Sequence, residues 1–475
     1  MSDQARQDRE HLARFGYQQD LSRVLHFFSN FAVGFTYLSP VVGIYSLFAY
    51  GLSTGGPAFF WSIPLVVFGQ LLVVLIMGEL ASSYPLTGAL YQWARRTVGA
   101  RYGVFTGFVY GMALIVTIVA VDYGGAPFVA SFFGMDASSR VNLIGISLGM
   151  LAVQTVLNII GIRKLAVLLN LGVAAEIIGT LGIAFYLLFV PHPLGAGVVF
   201  QAAAVPEGGS YLPIFMSAAL FSAWIFYGFE SCADVSEEVV NPTYNVPRAM
   251  LYALLVGGIT TIIATFAFLW SIPDLAAATA DPSALDTVLL TALGPTLHKG
   301  FLALVIFAFL SCGGAVQVAA ARVTYAFARD GQAPKIFAAL NQRFHTPVNA
   351  TLLTAVVTAV LPFFAQVYAI LTSFAVLGIY LSFQLIVAGY IVARLRGWKP
   401  TGSFQLGAWG MPVAVGSLVY GVGMMINLAR PSGPGLAGWT VALVTGGIAL
   451  AGLLVTVIYG DRIDRMGSGE AAAAK

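Results

Sequence analysis

Charge is what this sequence has least of. Of its 475 residues only 9% are charged, while 59% are hydrophobic. Soluble domains carry about 25% charged residues, so a water-soluble globular class is excluded. Cysteine is nearly absent too. Cys232 and Cys312 are the two in the chain, and both sit inside apolar segments, which leaves no disulfide framework or zinc spacing. They read as small packing residues. The five histidines (His11, His26, His192, His298, His345) fall in tails, loops or segment ends. That placement argues against a histidine-dependent enzyme within the membrane. No Walker A, His-Glu-x-x-His or Gly-x-Ser-x-Gly pattern occurs, so neither ATP nor any other cofactor is expected. The net charge of +3 is not gathered on one soluble face, and no nucleic-acid partner is expected.

What the chain has in quantity is apolar segments of about 20 residues, the length a bilayer-spanning helix needs. The short alternating pattern of a membrane barrel strand is largely missing. The expected fold is an all-α polytopic membrane protein with 12 transmembrane helices, near 27–51, 57–81, 103–131, 141–160, 165–190, 211–235, 249–270, 298–325, 348–366, 369–393, 411–429 and 436–459. The run between spans 9 and 10, with Pro362 and Gln366, divides in more than one way. The N-terminus is too charged for a cleaved signal peptide, so the first apolar segment is expected to stay as an anchor. The ending GSGEAAAAK reads as a linker.

The basic residues test the count. With the N-terminus in the cytoplasm, twelve spans put 20 of the 23 Lys and Arg inside and only Arg140, Lys299 and Arg430 outside. This asymmetry is the positive-inside pattern. It predicts a multi-pass protein of the cytoplasmic (inner) membrane with both termini cytoplasmic. The expected organisation is a tail at 1–26, a first five-helix half at 27–190, a second at 211–393, two further helices at 411–459 and a tail at 460–475.

Two spans carry interruptions. Span 1 reads FSNFAVGFTYLSPVVGIYSLFAYG, with Pro40 and then Gly43. Span 6 reads SAWIFYGFESCADVSEEVVNP, with Gly228 two residues before Glu230. Spans 1 and 6 are five apart, and a repeat of odd length must invert across the membrane. Interrupted segments at matching places in two halves are a pointer to a transporter site. Unwound backbone at mid-membrane leaves peptide groups that lipid cannot satisfy. A zwitterion suits them, its carboxylate on N–H groups and its ammonium on C=O groups.

Three further stretches carry a family resemblance. They are GELASSYPLTGALYQWARR after span 2, FYGFESCADVSEEVVNPTYNVPRA at span 6, and AARVTYAFARDGQAPK with HTP at 345–347. The chain resembles the amino acid–polyamine–organocation (APC) superfamily permeases. FSNFAVGFTYLSPVVGIYSLF and FQLGAWG point to the amino acid/choline transporter branch, which is GABA/choline permease-like. The resemblance implies a leucine-transporter-type 5+5 inverted repeat with discontinuous helices 1 and 6. It also implies that a substrate carboxylate meets N–H groups near Val42 and Gly43, and an ammonium meets carbonyls near Ser39, Trp224 and Tyr227. Tyr37, Trp224, Phe226 and Tyr227 would close the site and hold a cation by cation–π attraction. Span 1 departs from many relatives in reading VVGIY where they have Gly-Ser-Gly-Ile-Phe.

Four acids lie inside spans: Glu79, Asp122, Glu176 and Glu230. Each costs ~2.5–3.5 kcal/mol at a helix centre, which makes it a functional candidate. Glu79 is expected to bond local loop groups. Glu176, mid-span with no basic residue nearby in sequence, is either a proton-coupling group or a structural hydrogen-bond partner. Asp122 either meets a second ammonium or sits solvated in an outer vestibule. Glu230 either braces the span 6 break, at the positive end of a helix dipole, or touches substrate. Asp234, Glu237 and Glu238 either pair with Arg95, Arg322 or Arg329 to latch an inner gate or form a solvated helix end.

The expected function is secondary active import of an amino acid or related small amine by alternating access, with protons as coupling partner. Choline, GABA or polyamine carriage, and exchange without ion coupling, stay open. Sodium is disfavoured by the few hydroxyls in SCGGAV at 311–316. A membrane-embedded enzyme or a channel is the reading from another class.

Overall fold

The computed structural model describes residues 3–364, 368–430 and 438–464. Gln366, the start of the last expected span, and Arg465 and Lys475 of the expected tail lie outside them. Among the described residues, ten helices are long and apolar enough to cross a membrane. Two shorter apolar stretches, Tyr211–Ile225 and Val348–Phe363, fall where spans 6 and 9 were expected.

An amino-terminal helix α1 (Asp3–Ala13) precedes the first span, which is split into α2 (Phe27–Leu38) and α3 (Pro40–Gly55). Next come α4 (Ser62–Ser83), the short α5 (Ala89–Thr97), α6 (Ala100–Phe132), α7 (Arg140–Ile159) and α8 (Ile162–Leu187). The chain goes on through α9 (Tyr211–Ala218) and α10 (Leu220–Ile225), breaks, and resumes as α11 (Ser231–Asp234). It continues through α12 (Pro242–Trp270), α13 (Leu275–Ala280), α14 (Ala284–Arg329), α15 (Val348–Val360) and α16 (Tyr368–Leu395). Helix α17 (Gly410–Leu428) and a last helix, Thr440–Ile458, follow. Burial separates centre from rim: 89% of the first span's most apolar window is enclosed, against 22% for Thr440–Ile458.

Helix α14 begins well before the expected start of span 8. Gly294, at φ 71°, and Pro295 divide it into an outer piece and a spanning piece. Glycine tolerates the left-handed conformation, and proline cannot continue the preceding helix.

The first break has a local cause. Pro40 has no N–H and would clash with the preceding turn, so α2 ends at Leu38 and Ser39 takes φ 34°. Ser39 then caps α3: its Oγ accepts from Val42 N at 3.2 Å, with Pro40 in the first helical position, where a missing N–H is harmless. Gly43 does not make the break. Its role is close approach, because a Cβ there would lie 2.2 Å from Ile225 Cγ1.

The second break is a turn at Phe226–Glu230. Gly228 has φ +107°, and a Cβ on it would meet Tyr37 Cγ at 2.7 Å and Leu38 N at 2.9 Å. At Gly34 a Cβ would fall 2.4 Å from Cys232 Sγ. Three glycines therefore let the broken spans press backbone to backbone at the centre of the bundle.

Candidate functional site

Both breaks are closed off from solvent. Ser39, Phe226 and Glu230 are fully buried, and Tyr37, Val42, Trp224 and Tyr227 nearly so. The Tyr37 ring meets Tyr227 edge-on at 5.8 Å, and Trp224 meets Tyr227 edge-on at 5.9 Å. These three rings stand between α2 and the end of α10. Phe226 is the first residue beyond α10, its N–H donating to Ser222 O at 3.1 Å. The chain leaves helical geometry here, at the carbonyl end of α10. That end is the negative end of a helix dipole, which favours a cation.

The amide side differs from expectation. Val42 N–H is taken by Ser39 Oγ, and Gly43 N–H donates to Ser39 O at 3.0 Å. Neither is free for a ligand carboxylate in this conformation. The protein supplies a carboxylate of its own instead: Ser39 Oγ donates to Glu176 Oε2 at 2.9 Å, and the Val41 N–H faces the same carboxylate. Glu176 thus reaches from α8 to the positive end of α3, a natural anion position. Its Oε1 has no protein partner.

Glu230 turns back on its own break. Its Oε2 accepts from Gly228 N at 2.8 Å, and Tyr110 lies 3.4 Å from Oε1. This geometry is that of a brace. Ser231 Oγ completes the turn on Gly228 O at 2.6 Å. Asp234 was expected either to reach an arginine or to sit in a solvated helix end, and it is fully buried. Its Oδ2 instead accepts from Tyr110 OH at 2.7 Å, because the side chain faces α6.

Asp122 is buried and not in an open vestibule. Its Oδ1 accepts from Gln154 Nε2 at 2.6 Å, while Oδ2 has no protein partner. Gln154 opens a polar ladder that sequence reasoning missed. Asn158 Nδ2 donates to Gln154 O, Gly314 O and Gln317 Oε1, and Gln317 Nε2 donates to Thr155 Oγ1 at 2.8 Å. The signal was present as uncharged amides inside apolar spans 4 and 8. Cys312 lies between the two acids, in the field of both Glu176 and Asp122, its Sγ donating to Tyr37 O at 3.2 Å.

One face of the bundle is sealed by ion pairs. Arg329 holds Glu237 through two bonds of 2.7 and 3.0 Å, and Thr87 N donates to the same carboxylate. Arg322 donates to Glu238 at 2.8 Å, both side chains buried. Burial pushes the Glu238 carboxyl up, and Arg322 opposes it. Arg95 bonds Asp330, which also accepts from Tyr17, Tyr91 and Gln92. Two of the expected latch pairs form, and Arg95 finds another acid. Glu79 bonds Tyr390, Arg394 and Leu406 N, so it ties the loop after α16 to α4.

The amino-terminal segment is part of this seal, which was not foreseen. Leu25 bridges Val239, Val24 N and Leu25 N both donate to Glu238 O, and Arg23 Nη1 reaches Val239 O at 2.5 Å. Arg329 stacks 4.0 Å over the Tyr17 ring. Burial, then Asp330, push the Tyr17 phenol from 10.0 to about 12. A phenol whose folded value is raised favours the docked state fully below pH 10 and loses that contribution as pH climbs through 12. The protection of residues 8–25 against hydrogen exchange, taken relative to the intrinsic rate at each pH, should therefore hold to pH 10 and fall above it, and Tyr17→Phe should remove that transition.

Removing one latch should open this face. Arg329→Gln loses a bidentate charge-assisted pair, ~1.5–3 kcal/mol, about tenfold or more in an opening equilibrium. Cys232 and Cys312 are both buried, so they report directly. The thiol-labelling rate of Cys232, measured in a Cys312→Ser background, should rise about tenfold. An unchanged rate would show that Glu237–Arg329 is not a latch.

Two discontinuous helices meeting at the bundle centre, with the carbonyl end of one and an acid at the start of the other, define a leucine-transporter-type membrane carrier. The chain belongs to the amino acid permease family, whose model matches residues 25–454. It is 26% identical to amino-acid permease BAT1 of Arabidopsis thaliana, over 94% of this chain and 93% of that one. It is 25% identical to a putative polyamine transporter of Candida albicans, over 96% and 88%. A GABA-specific permease of Saccharomyces cerevisiae is 24% identical over 74% of this chain and 66% of its own. Among solved structures, a manganese transporter of Eremococcus coleocola, crystallised with an aromatic bis-isothiourea compound, superposes with TM-score 0.58 at 12% identity, covering 93% of this chain and 94% of that chain. This last likeness shows the fold alone. Among the described residues, no group of three or more His, Cys, Asp or Glu is placed to hold a metal ion.

Proposed function

We propose that this permease imports an amino acid or related small amine across the cytoplasmic membrane by alternating access, coupled to protons. The observation that carries the reading is the Ser39–Glu176 bond at the first break. In this reading twelve spans, with both termini cytoplasmic, form two inverted five-helix halves and two peripheral helices. The ammonium lies against the carbonyls at the end of α10, walled by Tyr37, Trp224 and Tyr227. Ionised Glu176 holds the start of α3. A proton on Glu176 weakens that hold and releases Ser39 and the Val41 amide for the substrate carboxylate. Proton and substrate thus load together, with Glu230 bracing the opposite break. The latches at Glu237 and Glu238 must part before release to the cytoplasm. Asp122 is assigned to the ladder with Gln154 in preference to substrate contact, since its bonded oxygen already faces that amide.

Relatives named for amino acids, GABA and polyamine support the ammonium as the shared feature of the cargo. Uptake of labelled amino acids and amines into proteoliposomes, with and without an inward pH gradient, tests the whole scheme. Saturable accumulation driven by the gradient supports it. Downhill flux without saturation would indicate a channel, and gradient-independent counterflow alone an exchanger.

A further inference from the structure

A cavity of about 350 Å³ lies toward the face opposite the ion-pair seal. That volume is within the range of small-molecule sites. Its walls come from α3 (Tyr45, Ser46, Ala49), α6 (Tyr123, Phe128) and the outer piece of α14 (Asp286). Ser46 is one helical turn beyond Val42 on the same face of α3, so the cavity stands directly outward of the first break. None of the residues placed at the breaks lines it.

Its chemistry points to one class of ligand. Tyr45 is nine-tenths buried, yet among the described residues its hydroxyl has no partner, and neither does Ser46 Oγ. Buried hydroxyls are ordinarily paired. Asp286 stands within the field of that Tyr45 hydroxyl. One carboxylate oxygen, Oδ1, is 2.8 Å from His298 Nε2, and the Asp286 side chain stays 32% exposed. Two of the three basic residues expected on this face are turned elsewhere. Arg140 donates to Phe363 O at 2.7 Å, and Lys299 lies over the Phe132 ring at 5.3 Å. Tyr45 packs edge-on against Phe128 at 5.2 Å and near Phe301 at 6.0 Å, which offers aromatic faces beside the carboxylate.

We propose that this cavity is an outer binding site for a primary alkylammonium group, held by the Asp286 carboxylate and the Tyr45 hydroxyl against the Tyr123 and Phe128 rings. A carboxylate supplies the countercharge. Tyr45 Oη and Ser46 Oγ accept the remaining ammonium N–H groups, and the rings add cation–π attraction. A quaternary ammonium, lacking N–H, would leave both hydroxyls unsatisfied, so the site selects primary amines. As a site for transported cargo it rests on the carrier reading above. There it would gather cationic amine before the breaks open, as a negatively lined cleft concentrates a cation.

The test is independent of transport. Ala49 lines the cavity, and both native thiols are buried. In Ala49→Cys, a water-soluble thiol reagent should label position 49, and n-butylammonium should protect it while tetramethylammonium and butyrate do not. Adding Asp286→Asn or Tyr45→Phe should raise the half-protecting concentration about tenfold, the loss of one charge-assisted hydrogen bond. An unchanged labelling rate without amine shows that each variant is folded. Equal protection by all three probes, or protection indifferent to both substitutions, overturns the site. Protection without uptake of any amine would leave the site standing and sink the carrier reading. Amine uptake without protection would do the reverse.

Discussion

Glu176→Gln should abolish pH-driven accumulation while leaving counterflow. A one-unit pH gradient is worth ~1.4 kcal/mol per proton, enough for about tenfold accumulation at one proton per substrate. Glutamine is close to isosteric, and its carbonyl oxygen can still accept from Ser39 Oγ. The contact at 2.9 Å therefore survives, and the fold with it. What is lost is the change of charge. A permanently neutral side chain holds the start of α3 only weakly, so substrate should load at every pH. Uptake in proteoliposomes under a one-unit gradient should then fall from about tenfold to equality with the bath, with internal-to-external exchange retained. Tenfold accumulation by Glu176→Gln would place the coupling proton elsewhere, with Asp122 the next group to test.

The glycines at the two breaks should fail differently. Gly228→Ala meets two penalties. A φ of +107° is strained for any side chain, and the new Cβ would press on Leu38 N at 2.9 Å, a backbone atom that cannot rotate away. Backbone strain costs ~1–3 kcal/mol, and overpacking another ~1–3 kcal/mol. Loss of uptake and a lowered unfolding temperature in detergent are expected, with no rescue by trimming a neighbour. Gly43→Ala meets only the Ile225 side chain, with Cγ1 at 2.2 Å. Uptake should collapse in Gly43→Ala and return substantially in Gly43→Ala/Ile225→Ala, where the obstructing atoms are gone. Gly145→Ala, with open space around it, is the neutral control. Normal uptake by Gly228→Ala would mean that the two broken spans do not press together as described.

Much of the bundle was legible because its signals are local. A run of apolar residues declares a span wherever it sits, and the Pro40 and Gly228 interruptions act on their own backbone. The outer piece of α14 was hidden by sequence that mixes polar and apolar residues before the Gly294 kink. Of the acids, Glu79 was expected to bond local loop groups, but its partners Tyr390, Arg394 and Leu406 come from distant parts of the sequence. Asp234 was read as an arginine partner or a solvated helix end, and its bond to Tyr110 fits neither. Several arginines end on that face, and which carboxylate each meets depends on helix rotation, which no spacing records. The tail contacts of Arg23 and Tyr17 escaped because a polar terminal segment looks the same docked or free.

The sequence by itself determined a low-charge, many-span membrane chain with two weak points, one at Ser39-Pro40 and one around Gly228. Proline's missing N–H and glycine's open φ are properties of single residues, and they need no partner to act. The family resemblance implied that those weak points share one site; only the tertiary structure decided that Glu176 reaches across to Ser39 and that Asp122 is held by Gln154. Each of these joins residues from different helices, and their meeting depends on how the helices rotate and cross once packed.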